Sequence, residues 1–144
     1  MPHSPQDFIG AWSLVDWQIL YPDGTATRPF GENPRGYILY TENGIMSATL
    51  AVAERKRLGH ENARNASQQQ KADAFDSFLN YGGPWQLDGD EVVHTVTFSM
   101  NQDLVGTQQR RSARFDGCGG LELSAHQPLA DGTSRRHVLQ WQRV

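Results

Sequence analysis

The chain has 144 residues and a mass of 16.1 kDa, with 38% hydrophobic and 20% charged residues, which fits a single globular domain spanning residues 1–144. Its 13 basic and 16 acidic residues give a net charge of -3, so it lacks the positive field that attracts nucleic acid or an anionic membrane. Cys118 is the only cysteine, and residues 1–10 lack the basic flank and apolar run of an export signal. We expect a cytoplasmic protein without nucleic-acid or membrane partners.

Short runs of alternating apolar and polar residues follow one another along the chain, separated by turns. Several of these turns pair a glycine with Asp or Asn, which tolerate the positive φ of hairpin turns: Asp23-Gly24, Asn43-Gly44, Asp88-Gly89, Asp116-Gly117 and Asp131-Gly132. The intervals predict eight strands, near residues 11–20, 35–41, 45–52, 81–87, 91–100, 106–115, 120–126 and 135–143. Consecutive hairpins indicate an antiparallel all-β domain, either an up-and-down barrel or a sandwich.

One helix is predicted between the third and fourth strands, over residues 67–79. Apolar residues from Ala72 to Leu79 recur at helical spacing, and Ser67 with Gln70 has the pattern of a capping box. We expect this helix to cover one mouth of a barrel.

The alternation of side chains predicts which residues face the interior. The inward rows of strands 91–100 and 106–115 are expected to hold Val92, His94, Val96, Phe98 and Met100, and Thr107, Gln109, Arg111, Ala113 and Phe115. An inward guanidinium needs a partner, because leaving a buried charge unpaired costs several kcal/mol. For Arg111 that partner is either an internal acid, such as Asp16 or Glu122, or an anionic ligand.

Several fragments have a familiar order and spacing when they are taken together. They are Gly10-Ala11-Trp12, Asn33-Pro34-Arg35-Gly36-Tyr37, Gly44-Ile45-Met46, Tyr81-Gly82-Gly83-Pro84-Trp85, Gly106-Thr107-Gln108-Gln109-Arg110-Arg111 and Leu139-Gln140-Trp141-Gln142-Arg143. This set resembles the lipocalin-like domain family of the calycin superfamily, found in small bacterial and fungal proteins. The resemblance implies an eight-stranded, mostly antiparallel barrel with an internal ligand cavity. It also implies that Trp12 closes one end of the barrel, with Arg143 packed over the indole.

The expected cavity combines an apolar lining with a few polar groups. We expect His94 to move a proton while Arg111 and Tyr40 stabilise an enolate-like intermediate. Further ligand contacts are expected from Tyr81, Trp85, Gln109, Met46, Phe98, His137 and Leu139. The alternative for His94 is a core histidine that hydrogen-bonds a neighbour, and the alternative for the tyrosines is simple packing of their rings.

These residues suit a small, partly apolar molecule that bears a carbonyl or carboxylate. The leading hypothesis is a cofactor-independent isomerase, cyclase, dehydratase or lyase, and the alternative is a non-catalytic intracellular carrier or sensor. A third alternative is a barrel with a packed core that acts through its outer face, for example as a homodimer. The sequence has no His-x-His, His-Glu-x-x-His or cysteine pair, so no metal or other cofactor is expected, with a haem on one histidine as a lesser alternative.

Overall fold

The computed structural model describes residues 2–144, which form ten strands and two short α-helices. The strands are β1 (Gly10–Leu20), β2 (Ala26–Thr27), β3 (Arg35–Tyr40), β4 (Ile45–Ala51), β5 (Phe78–Asp88), β6 (Glu91–Thr95), β7 (Phe98–Ser99), β8 (Gln108–Phe115), β9 (Gly120–Pro128) and β10 (Ser134–Arg143). The helices are α1 (Pro5–Phe8) and α2 (Gln68–Asp76), and single 3-10 turns occupy Ala63–Asn65 and Gln102–Leu104.

Eight of the strands close into one antiparallel barrel. Their order is β1, β3, β4, β5, β6, β8, β9 and β10, and β10 pairs back with β1 over most of its length. The short strands β2 and β7 pair with β1 and β5 outside this circuit. Closure leaves none of the eight strands as an unpaired edge. The predicted eight-stranded antiparallel barrel is confirmed.

One end of the barrel is closed by aromatic side chains and an arginine. Helix α1 inserts Phe8, which is fully buried, and the indole of Trp12 donates a hydrogen bond to the Phe8 carbonyl at 2.8 Å. The guanidinium of Arg143 lies 4.1 Å from the centroid of the Trp12 ring and donates to the carbonyls of Ile9 and Asp7. The cation–π contact and these hydrogen bonds tie the last strand to the first turn of the chain, as the resemblance implied.

A β-bulge in β1 changes which of its side chains face inward. The pairing with β10 shifts between Leu14 and Asp16, so Leu14 and Trp17 both face the interior while Val15 points to solvent. A bulge adds one residue to a strand and so reverses the alternation beyond it. The half of β1 that follows the bulge therefore brings Trp17 into the interior.

The helix between β4 and β5 is shorter than predicted. Its capping box is formed, with the Gln70 amide donating to Ser67 Oγ at 3.1 Å, but the helix ends at Asp76. Phe78 and Leu79 belong to β5, where they pair with Ala51 and Leu50. Strand pairing with β4 thus overrides the helical spacing of the two apolar residues. No residue of α2 is buried, and none belongs to the wall of the cavity described below.

The predicted strand over residues 91–100 is broken, and this corrects the orientation expected for Phe98. Residues 91–99 stay beside β5, but the register shifts by one residue: His94 lies opposite Trp85, whereas Phe98 lies opposite Gly82, and the Thr97 amide donates to the Gly82 carbonyl at 2.9 Å. The Phe98 side chain is 77% exposed. The expectation that it faces the interior is therefore wrong, because the extra residue between His94 and Phe98 reverses the alternation.

Candidate functional site

The interior of the barrel contains a cavity of about 470 Å3. All eight barrel strands contribute to its wall. Most of the wall is apolar or aromatic, with Trp17, Ile38, Leu50, Leu79, Leu123 and Trp141 among its residues. The sequence-predicted residues that the structure places in this wall are Tyr81, His94, Gln109, Arg111, His137 and Leu139. The volume lies within the range of ordinary small-molecule pockets, roughly 300–1,000 Å3.

Arg111 brings a positive charge to the cavity without a carboxylate to balance it. Its Nη1 donates to the Arg110 carbonyl at 2.9 Å and its Nη2 to Gln109 Oε1 at 3.3 Å. Across residues 2–144 it makes no ion pair, and no Asp or Glu belongs to the cavity wall. The acids that the sequence offered as partners are engaged elsewhere: Asp16 with Arg28, and Glu122 with two arginines on the outer surface.

A hydrogen-bonded chain of three side chains spans the barrel beside the cavity. The hydroxyl of Tyr40 lies 2.8 Å from Nε2 of His94, and the hydroxyl of Tyr81 lies 2.7 Å from Nδ1 of the same ring. All three are buried, and His94 is only 1% exposed. Strands β3, β5 and β6 supply the three residues, each from the inward row of its strand. Both ring nitrogens of His94 are therefore occupied by protein groups.

Burial controls the protonation states of these three hydrogen-bonded side chains. Loss of solvation, helped by the nearby charge of Arg111, lowers the pKa of His94 to about 3, so the imidazole is neutral at physiological pH. Burial also raises the pKa of both Tyr40 and Tyr81. The three groups are uncharged near pH 7, which leaves Arg111 as the charge that they face.

A second histidine, His137, lies in the wall farther along β10. The indole of Trp17 donates to its Nδ1 at 3.2 Å, so its Nε2 carries the proton and donates to Gln127 Oε1 at 2.9 Å. Burial, followed by the charges of Arg135 and Arg111, lowers the pKa of His137. Like His94, this ring is held neutral, with both nitrogens used.

The sequence from residue 9 to residue 144 matches the sequence profile of the lipocalin-like domain family. The chain belongs to this family. The match agrees with the closed barrel, with its plugged end and with its internal cavity, and a lipocalin-like barrel of this kind fits the binding of a small molecule. A comparison with curated proteins finds none that matches the chain.

Three of the predicted contact residues lie outside the wall of this lipocalin-like cavity. Trp85 packs against Tyr40, with ring centroids 4.9 Å apart, and Met46 is buried opposite Tyr40 on the neighbouring strand. Both belong to the packed core and not to the cavity wall. Phe98 is on the outside, as described above. Alternation predicts the face of a strand on which a residue lies, but not its height along the barrel axis.

Tyr40, predicted to act on the ligand directly, is also absent from the cavity wall. Its ring is 2% exposed and is packed against Phe8, with ring centroids 5.5 Å apart. Its hydroxyl reaches the site only through His94. Tyr40 is thus placed behind the histidine, while Tyr81, on the other side of the ring, belongs to the wall.

Some wall residues were not singled out from the sequence. Trp17 was hidden by the bulge in β1, whereas Trp141 lies in the same inward row as Leu139 and was detectable by alternation. His126 and Arg135 lie within the predicted strands 120–126 and 135–143, whereas Gln127 lies where β9 extends beyond its predicted end.

One buried donor in the wall lacks a partner. Nε1 of Trp141 is the only buried side-chain nitrogen or oxygen in residues 2–144 without a hydrogen bond, and Trp141 is 2% exposed. A buried donor left unpaired costs about 1–3 kcal/mol.

Among residues 2–144, no three side chains of His, Cys, Asp and Glu come together in a group that could hold a metal ion. None of the helices in this range has the length and hydropathy needed to cross a bilayer.

Proposed function

We propose that this lipocalin-like protein binds a small, partly apolar molecule whose carboxylate, or whose carbonyl oxygen, lies at Arg111. The observation that carries the proposal is that the Arg111 guanidinium has no carboxylate partner in a wall that contains no acidic residue among residues 2–144. Arg135, the other arginine of the wall, donates to Gln127 Oε1 at 2.7 Å. A planar guanidinium is suited to two parallel hydrogen bonds with a carboxylate. An anion at this position supplies the counter-charge that the protein does not.

The neighbours of Arg111 support an orientation for such a ligand. The Gln109 amide nitrogen donates to Thr107 Oγ1 at 2.9 Å, which fixes its oxygen toward Arg111 and steadies the guanidinium. The rest of the wall is largely apolar. We therefore expect the charged or carbonyl end of the ligand at β8 and its apolar body against the leucines of β4, β9 and β10.

A pair of probes that differ only in charge tests this proposal. 2-Naphthoate carries a carboxylate on an apolar two-ring body, and 2-naphthamide is its neutral counterpart. Calorimetric titration is expected to give tighter binding of the naphthoate to the wild-type protein. The variant Arg111→Met, which keeps an unbranched side chain without charge, is expected to bind naphthoate about 10- to 100-fold more weakly, because hydrogen bonds to charged groups contribute about 1.5–3 kcal/mol.

The control for this titration is Arg114→Met, three residues farther along β8 and therefore on the outer surface. Arg114 is largely exposed and pairs with Glu122, so its loss is expected to leave naphthoate binding unchanged. Equal affinity of the wild-type protein for both probes, no binding of either, or unchanged binding in Arg111→Met contradicts the proposal.

A second candidate function is acid–base catalysis on the bound molecule, without a cofactor. The specific observation in its favour is the chain of Tyr40, His94 and Tyr81 beside a fixed cation, because hydrogen-bond donors aimed at developing negative charge stabilise enolate-like intermediates. Isomerase, cyclase, dehydratase and lyase reactions share such intermediates. The competing function is that of an intracellular carrier or sensor, which binds the same molecule and leaves it unchanged.

Native mass spectrometry of the purified protein separates the two functions. The bound molecule is identified in the wild-type protein and in His94→Gln after the same incubation. An enzyme is expected to release an altered molecule from the wild type and to retain the intact one in the variant. Release of the same unaltered molecule from both proteins identifies a carrier and contradicts catalysis.

A further inference from the structure

Tyr40, His94 and Tyr81 form a hydrogen-bonded triad, and the surroundings of the two tyrosines determine where its hydrogen atoms lie. A neutral imidazole carries one N–H, so one ring nitrogen donates and the other accepts. Each tyrosine hydroxyl has one proton to donate. In the described part of the chain, neither hydroxyl has a hydrogen-bond partner other than His94.

Two arrangements satisfy the histidine. In the first, Tyr40 donates to Nε2 while Nδ1–H donates to the oxygen of Tyr81, whose own proton is then free. In the second, Tyr81 donates to Nδ1 while Nε2–H donates to the oxygen of Tyr40, and the free proton belongs to Tyr40. The two arrangements differ only in which tyrosine keeps an unused O–H.

The surroundings of the two tyrosine hydroxyls determine which of them has the O–H that is not donated to His94. Tyr40 is buried among Phe8, Trp85 and the histidine itself and is absent from the cavity wall. A free O–H there is left without any partner, which is costly in a core. Tyr81 belongs to the wall of the 470 Å3 cavity, where a ligand or a solvent molecule can accept its proton. The first arrangement is therefore favoured.

We propose that Tyr81 donates its O–H to an anionic or carbonyl oxygen of the ligand, and that Tyr40 and His94 are positioning residues which keep that proton available. Arg111 and Tyr81 then form the two parts of one oxyanion subsite. His94 lies in the wall but has no nitrogen free for the ligand, so it acts only through Tyr81.

This inference rests on the proposed binding of an oxygen anion, but its first test needs no ligand. Two-bond 1H–15N correlation spectra distinguish the two neutral tautomers of a histidine. At neutral pH, His94 is expected to be protonated at Nδ1 and not at Nε2, and the His94→Gln spectrum assigns its signals. A proton at Nε2, or on both nitrogens, overturns the inference.

The second test uses 4-nitrophenolate, whose visible absorbance reports the ionised form, as an oxyanion probe. Its neutral counterpart is 4-nitrotoluene. Tyr81→Phe is expected to lower the affinity for the phenolate about 10-fold or more and to leave the affinity for nitrotoluene nearly unchanged. Tyr37→Phe is the matched control, because Tyr37 is 57% exposed on the outer face of β3, and no change is expected.

Tyr40→Phe gives a readout that simple packing does not predict. Without the Tyr40 hydroxyl, no hydrogen bond to Nε2 favours the tautomer that is protonated at Nδ1. Both tautomers are therefore expected in the spectrum. Phenolate affinity is then expected to fall although residue 40 does not contact the cavity, and nitrotoluene affinity is expected to hold. An unchanged phenolate affinity in folded Tyr40→Phe overturns the positioning role.

The outcomes separate this inference from the proposed function. Loss of naphthoate binding in Arg111→Met with full phenolate binding in Tyr81→Phe leaves the function standing and overturns the role of Tyr81. Equal wild-type affinity for naphthoate and naphthamide overturns the function, while the His94 tautomer still tests the hydrogen assignment.

Discussion

Replacing His94 with glutamine is expected to remove a component of the pH dependence of folding stability. Burial and the charge of Arg111 hold the pKa of His94 at about 3 in the folded protein, against an ordinary value of 6.5. Above pH 6.5 the residue is neutral in both the folded and the unfolded chain, so it contributes no pH dependence there. Below that pH His94 becomes protonated in the unfolded chain but stays neutral in the folded protein, so the free energy of unfolding falls as the pH falls.

The size of this effect follows from the shift in pKa. Each pH unit between the unfolded and folded pKa values changes the free energy of unfolding by about 1.4 kcal/mol. Between about pH 8 and about pH 4.5, His94 is therefore expected to account for about 2–3 kcal/mol of lost stability. The loss continues toward pH 3, where the folded protein also becomes protonated at this site.

Urea unfolding followed by tryptophan fluorescence measures the effect in wild type and in His94→Gln at a series of pH values. The variant is expected to be less stable at about pH 8, because two buried tyrosine hydroxyls lose their partner at about 1–3 kcal/mol each. The difference in unfolding free energy between the two proteins is then expected to shrink by about 2–3 kcal/mol as the pH falls to about 4.5. Carboxylates that titrate identically in both proteins cancel in this difference.

A matched control is His60→Gln, because His60 is exposed in the segment between β4 and α2. Its stability is expected to follow the wild-type curve at every pH. A difference between wild type and His94→Gln that stays constant from about pH 8 to about pH 4.5 would falsify the neutral, buried histidine on which the hydrogen assignment depends.

Two further predictions concern the scaffold, and the same urea unfolding experiments measure both. Arg143→Met is expected to lower the unfolding free energy by about 1–2 kcal/mol, because the cation–π contact and two hydrogen bonds are lost. The control Arg114→Met removes only an exposed ion pair and is expected to lower it by less than about 1 kcal/mol. Equal losses in the two variants contradict the role of Arg143 in closing the barrel end. Gly36→Ala is expected to prevent normal folding, because a Cβ on this residue, whose φ is 153°, would collide with the Thr49 carbonyl. In the control Gly24→Ala the Cβ meets no other atom, and the unfolding free energy is expected to fall by about 1–2 kcal/mol. A stable barrel in Gly36→Ala contradicts the close packing of β3 against β4.

The regular strands explain why much of the wall was predictable. In β8 the alternation is unbroken, so Gln109 and Arg111 are in the wall as expected, and the same holds for His94 in β6. The register places Gln109 directly opposite His94. The lack of a carboxylate partner for Arg111 was not predictable from the sequence, because it depends on Asp16 and Glu122 pairing with other arginines in the fold.

Irregularities in the backbone explain the failures. The bulge near Val15 turns Trp17 inward, and the register shift between His94 and Phe98 turns Phe98 outward. Alternation along the sequence does not reveal either event, because one inserted residue reverses the faces of all the residues after it. The hydrogen bonds between His94 and the two tyrosines could not be predicted from the sequence, because they depend on how strands distant in sequence face each other across the barrel.

A crystal structure of the protein with 2-naphthoate would show directly whether Arg111 binds an anion inside the barrel. We expect one naphthoate in the cavity, with its carboxylate within hydrogen-bond distance of the Arg111 guanidinium and its rings against the apolar wall. A naphthoate bound only outside the barrel, or inside it with the rings at Arg111 and the carboxylate directed away, contradicts the proposed anion site.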